Sequence, residues 1–113
     1  MLEVKALQTA PVLVLAIQGS VDSLTAESLT QTLESYFSAG HSRVVADLSG
    51  LSYTSSAGLR SILIAVKRAR KLGGDFHLAA VQASVMEVLT MSGFTNILKV
   101  FPTVGAAASS LGS

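Results

Sequence analysis

The chain has no cysteine among its 113 residues, which excludes a disulfide framework and any thiolate metal site. Aromatic residues supply only 5% and charged residues only 13%, whereas half of the chain is hydrophobic. A core must therefore be built from Val, Leu, Ile and Ala, the palette of a small α/β layer structure. Charge of either sign is scarce, and the net value of +1 gives no electrostatic basis for a nucleic-acid or anionic-membrane partner. The longest apolar run, Pro11 to Ile17, falls far short of the ~20 residues that span a bilayer. Glu3 and Lys5 inside the N-terminal stretch do not suit a signal peptide. The expectation is one soluble, cytoplasmic domain over residues 1–113.

What is present alternates between strand and helix signals. Val4–Thr9 and the continuously apolar Val12–Ile17 predict a hairpin turning at Ala10 and Pro11, its first strand at an edge. After Gly19, a polar break carries Asp22, with Ser23 or Thr25 as cap for a helix in which Ala26, Leu29, Leu33, Tyr36 and Phe37 share one face. Arg43–Leu48 predicts a strand covered on both faces. The stretch Leu51–Gly58 is a polar loop, and Leu59, Ile62, Leu63 and Val66 then repeat the helical spacing until Gly73 and Gly74. A strand at Phe76–Val81, a helix at Ser84–Ser92 stopped by Gly93, a strand at Asn96–Phe101 and a helix capped by Thr103 complete the chain. The order β-β-α-β-α-β-α-β-α predicts a mainly parallel mixed sheet of about five strands with about four helices.

The loop before the second helix carries the chemistry. Ligands and partners of open α/β sheets bind at the carboxyl ends of the strands, and polar residues crowd that position here. Ser56 is placed to cap the helix or to lie just ahead of it, beside backbone N–H groups and the positive pole of the dipole. A capping serine alone is worth about 0.5–2 kcal/mol. A serine that accepts a phosphoryl group there gains about −1.5 to −2 charges without unfolding the helix. Arg60, in the first turn, opposes the dipole unless an anion lies near. Asp22 reaches the same edge if its strand adjoins the central one, either as a turn residue or as a partner contact. Asp47 equally suits the satisfaction of loop amides.

Catalytic signals are weak. Ser55-Ser56-Ala57-Gly58 lacks the upstream glycine of a nucleophile elbow. Neither His41 nor His77 is paired with a serine by pattern, which leaves a serine hydrolase without a general base. There is no glycine-rich phosphate loop and no metal-ligand spacing, so no cofactor or metal is expected.

Three segments together resemble the STAS domain of bacterial anti-sigma-factor antagonists. They are Ile17-Gln18-Gly19-Ser20-Val21-Asp22 with Thr25-Ala26, then Val44–Leu48 with Tyr53-Thr54-Ser55-Ser56-Ala57-Gly58-Leu59-Arg60, and finally Leu89-Thr90-Met91-Ser92-Gly93-Phe94. The resemblance implies the STAS fold and a non-enzymatic protein that, unmodified, binds an anti-sigma factor and frees a sigma factor. The anti-sigma factor of such systems is typically an ATP-dependent serine kinase, and a metal-dependent phosphatase of the PP2C-like class reverses its action. Family loops commonly contain Asp-Ser-[Ser/Thr]-Gly, the first Ser being modified. Matching its glycine to Gly58 implies Ser56 as acceptor, with Ser55 as second choice, and a binding face of Asp22, Thr54, Ser55, Ser56, Ala57, Gly58 and Arg60. Here Ser55 replaces the Asp and Ala57 the second hydroxyl. That departure leaves an alternative, a constitutive STAS interaction or scaffold module without a phosphorylation switch.

Overall fold

A computed structural model describes residues 2–112. The apolar run before Gln18 becomes the buried spine of a sheet, because β2 (Leu13–Val21) has neighbours on both sides. β1 (Leu2–Gln8) pairs with it antiparallel as the edge strand. β3 (Arg43–Asp47) runs parallel to residues 13–16 of β2, and β5 (Asp75–Ala79) and β6 (Val100–Phe101) follow in parallel.

The predicted loop Leu51–Gly58 differs in its first half, which forms a short strand, β4 (Leu51–Thr54), parallel to Gly19–Val21 of β2. β3 and β4 thus lie along the same side of β2, separated by a turn whose Gly50 carbonyl accepts from Gly19 N–H at 2.9 Å. Leu51 and Thr54 are buried while Ser52 and Tyr53 between them are exposed. This four-residue pattern lacks the period of two that marks a strand in sequence. At the far end of the chain, β6 is shorter than the predicted Asn96–Phe101. Gly93 takes a left-handed conformation (φ 75°) and turns Phe94–Asn96 into a single 3-10 turn.

The crossovers between parallel strands carry α1 (Ala26–Ser38), α2 (Ser56–Lys71) and α3 (Ala83–Met91) onto one face of the sheet. Leu13, Leu15, Ile17, Val44, Ala46, Phe76 and Leu78 point into that layer, where they meet Leu29, Leu33, Ile62, Val66 and Leu89. Residues of opposite parity, Val12, Val14, Val45 and Ala79, face the other way and are covered by α4 (Val104–Ser110) through Ala107. The continuous hydrophobicity of the central strands therefore reflects burial on both faces. Thr103 caps α4, its hydroxyl accepting from Ala106 N–H at 3.1 Å. Among the described residues, no helix is long and apolar enough to cross a membrane.

Candidate functional site

The carboxyl ends of β2 and β4 lie side by side: Val21 is in register with Thr54, and Ser55 N–H donates to the Val21 carbonyl at 2.8 Å. The Asp22 loop and the loop opening α2 are thereby neighbours at one edge, as expected if the two strands adjoin. Three consecutive hydroxyls there have three different surroundings. Thr54 is buried, with its Oγ1 donating to the Ser55 carbonyl at 3.2 Å. Ser55 is half-buried and is the actual N-cap, its Oγ accepting from Gly58 N–H at 3.2 Å. Ser56 is the first residue of the helix and is exposed. The expectation that Ser56 caps or precedes the helix is thus corrected by one position. The extended backbone of Ser55 (φ −85°, ψ 174°) aims its side chain back at the first turn, the geometry that capping requires.

Gly58 sets how closely α2 approaches the strands. A Cβ at that position would stand 2.3 Å from Thr54 Oγ1 and 2.8 Å from Val21 Cγ1. One turn further on, buried Ser61 ties α2 to α1, accepting from Thr30 Oγ1 at 2.7 Å and donating to the Ala26 carbonyl at 2.9 Å. Ala57 is half-buried against the core, and Arg60 is exposed, with no ion-pair partner among the described residues.

Asp22 is at the predicted edge but is committed to its own loop. Its Oδ1 accepts from Leu24 N–H and Thr25 N–H, both at 2.9 Å, and from Thr25 Oγ1 at 3.1 Å. The Thr25 hydroxyl in turn accepts from Asp22 N–H at 2.9 Å. Hydrogen bonds from the Thr25 amide and hydroxyl, with that of Leu24, hold the carboxyl below its ordinary pKa. Through Oδ1 Asp22 shapes its own turn, and no bond joins it to Ser56. Thr25 occupies the N-cap position of α1 without capping its amides, because its hydroxyl faces Asp22. Asp47 likewise accepts from Ser49 N–H at 3.0 Å.

The Asp22 turn leaves Leu24 87% exposed, and the adjoining β4 leaves Tyr53 54% exposed. Sequence reasoning missed both, since a lone apolar residue in a polar turn carries no periodicity. Tyr53 precedes Ser55 by two residues in the chain, whereas Leu24 lies on the Asp22 turn at the same edge of the sheet.

The structure also pairs a histidine with a serine. His77, buried in β5, has Nδ1 2.7 Å from Ser110 Oγ and Nε2 3.3 Å from Asp75 Oδ2. Ser110 ends α4 and its hydroxyl also lies 2.7 Å from the Ala107 carbonyl. At that negative helix pole the exposed backbone groups are carbonyls, which cannot stabilise an oxyanion. The arrangement docks α4 on the sheet. Burial pushes the Asp75 carboxyl up, but Phe76 N–H, Arg70 and His77 outweigh it and hold the group below its ordinary pKa. No cluster of metal-ligating side chains occurs among the described residues.

Comparison with known proteins agrees with this architecture. Residues 3–107 match the STAS domain. The chain is 40% identical over 97 residues to BtrV of Bordetella bronchiseptica, a protein assigned as an anti-sigma factor antagonist, covering 86% of this chain and 84% of BtrV. An anti-sigma factor antagonist from Mycobacterium paratuberculosis superimposes with a TM-score of 0.89 at 19% identity, covering 100% of this chain and 96% of that one. The phosphorylated form of the Bacillus cell-fate determinant SpoIIAA superimposes with a TM-score of 0.71 at 16% identity, over 97% and 98% of the two chains. With most of its length matched to one domain and a relative at this identity, the chain belongs to the STAS-domain family.

Proposed function

We propose that this protein is an anti-sigma-factor antagonist of the cytoplasm, switched by phosphorylation of Ser56. The observation that carries the reading is the exposed Ser56 hydroxyl at the first position of a 16-residue helix, on the surface formed with the Asp22 loop. In the unmodified state that surface binds an anti-sigma factor, which is also the serine kinase. Leu24 and Tyr53 supply apolar contact, Ser55 and Gly58 hold the helix start in place, and Thr54, Ala57 and Arg60 complete the face. Modification places about −1.5 to −2 charges where the helix dipole tolerates them. The fold persists while the partner meets a bulky dianion. Arg60, four residues on and one turn away, is spaced to pair with it. A PP2C-like phosphatase restores the hydroxyl. BtrV's assignment and the existence of a phosphorylated SpoIIAA form support this reading.

The test is incubation with the co-purified kinase and ATP followed by mass spectrometry. A phosphate on Ser56 is expected, and one found only outside Ser55 and Ser56 rejects the proposal. Ser56→Asp should lose partner affinity while Ser56→Ala binds and resists the switch. The substitution of the common loop Asp by Ser55 favours one alternative, a constitutive interaction module, whose mark is a partner complex that ATP leaves intact.

A further inference from the structure

The two edges of the sheet are finished differently. β6 is only two residues long and runs into Pro102, so it offers almost no backbone for pairing. β1 is seven residues long, contains no proline, and has no strand outside it among the described residues. Its register with β2 is regular from Leu2 to Ala6 and shifts between Ala6 and Gln8. The segment whose outer backbone groups form an unbroken ladder is therefore Leu2–Ala6, and its midpoint is Val4.

The side chains around that midpoint are of opposite charge. Glu3 and Lys5 are exposed, point to the same face of the strand, and have no ion-pair partner among the described residues. Charges on an open edge ordinarily discourage pairing with other strands. Placed two residues apart with opposite sign, they discriminate among the ways two copies of this edge can meet. A parallel, in-register pairing sets Glu3 against Glu3 and Lys5 against Lys5. An antiparallel pairing centred on either residue sets that residue against its own copy. The antiparallel pairing centred on Val4 sets Glu3 opposite Lys5 twice, and places Val4 on Val4 and Leu2 on Ala6 at the core-facing side. Like charges directly opposite are unfavourable and unlike charges favourable, so one register is selected and its neighbours are rejected.

We propose that the outer edge of β1 pairs with the same edge of a second copy of this chain, antiparallel about a two-fold axis at Val4, joining two sheets into one. The contact is isologous, as closed dimers require. A five-residue ladder buries little surface, so the dimer is weak and forms reversibly at high protein concentration. It leaves the loop bearing Ser56 at the end of the sheet.

Sedimentation velocity over a concentration series to the millimolar range tests this. The wild type should show reversible self-association. Glu3→Lys and Lys5→Glu should each weaken it by roughly tenfold or more, because two favourable cross-strand pairs become unfavourable. The double variant carrying both exchanges should recover the dimer, and an equimolar mixture of the two single variants should form a heterodimer. Both side chains are exposed, so unchanged melting temperatures at low concentration are expected and separate pairing from folding. A wild type that stays monomeric over the whole series, or a dimer that the single exchanges leave equally strong, overturns the proposal.

Discussion

Replacing Gly58 by alanine asks whether the start of α2 is held by close packing or by capping alone. In an exposed helix the change would stabilise the protein by about 0.8–1 kcal/mol. Here the new methyl would lie 2.3 Å from Thr54 Oγ1, 2.8 Å from Val21 Cγ1 and 3.1 Å from Val21 Cβ. Thr54 cannot swing clear without giving up its bond to the Ser55 carbonyl, and Val21 is wholly buried in the wall of the core. Overpacking of this kind costs about 1–3 kcal/mol. Approaches this close belong to the upper part of that range, so after the helical gain the net loss is about 1–2 kcal/mol. For a domain of this size that lowers the melting temperature by about 4–8 °C, measured by circular dichroism. Partner affinity should fall as well, because relief of the contact lifts the helix start that carries Ser55 and Ser56. An unchanged or raised melting temperature would refute the claim that Gly58 sets the approach of α2 to the strands.

Gly105 provides the converse case, since a Cβ there meets nothing within 4 Å. Gly105→Ala should raise stability by about 0.5–1 kcal/mol in thermal or urea unfolding. Leu24→Ser should leave stability within about 0.5 kcal/mol, because the side chain is almost wholly in water. Its partner affinity, followed by titration calorimetry, should nevertheless drop; unaltered binding would remove Leu24 from the contact face. Asp75 contributes stability that is complete above its ordinary value of 3.8 and is lost as pH falls through the lower value it has in the fold. Asp75→Asn should therefore be less stable than the wild type near neutrality, and the difference should narrow below that pH in denaturation curves.

Periodicity made the layers legible in the sequence: α1, α2 and the strands β2, β3 and β5 lie where the apolar spacing places them. What escaped was determined by contacts between distant segments. β4 is a strand because Leu51 and Thr54 find buried places beside Gly19 and Val21, and nothing within its four residues announces that. Ser61, the buried link between α1 and α2, sits among apolar neighbours and has no local signature. Ser110 lies 33 positions from His77, so their pairing depends on α4 folding back over the second face. Asp22 was placed at the right edge, yet its role is decided by the Thr25 hydroxyl three residues on.

The same dependence on surroundings separates the three hydroxyls at the start of α2. Thr54 is enclosed, and a kinase would have to unfold β4 to reach it. Ser55 is partly accessible, but its oxygen is engaged with Gly58 N–H, and capping ties it to the helix start that the binding face requires. Ser56 has its side chain in water and no capping duty, so it can be modified without disturbing either neighbour. With Ser55 in the place of the common acidic residue, the loop keeps a cap acceptor in its neutral form and gives up a negative charge beside the acceptor. On the proposed switch, the unmodified face would be less repulsive to an anionic partner, and a phosphate on Ser56 would supply a larger fraction of the charge change. Screening bears on that charge term: raising the salt concentration should narrow the affinity gap between Ser56→Asp and wild type, while leaving intact any loss that comes from shape.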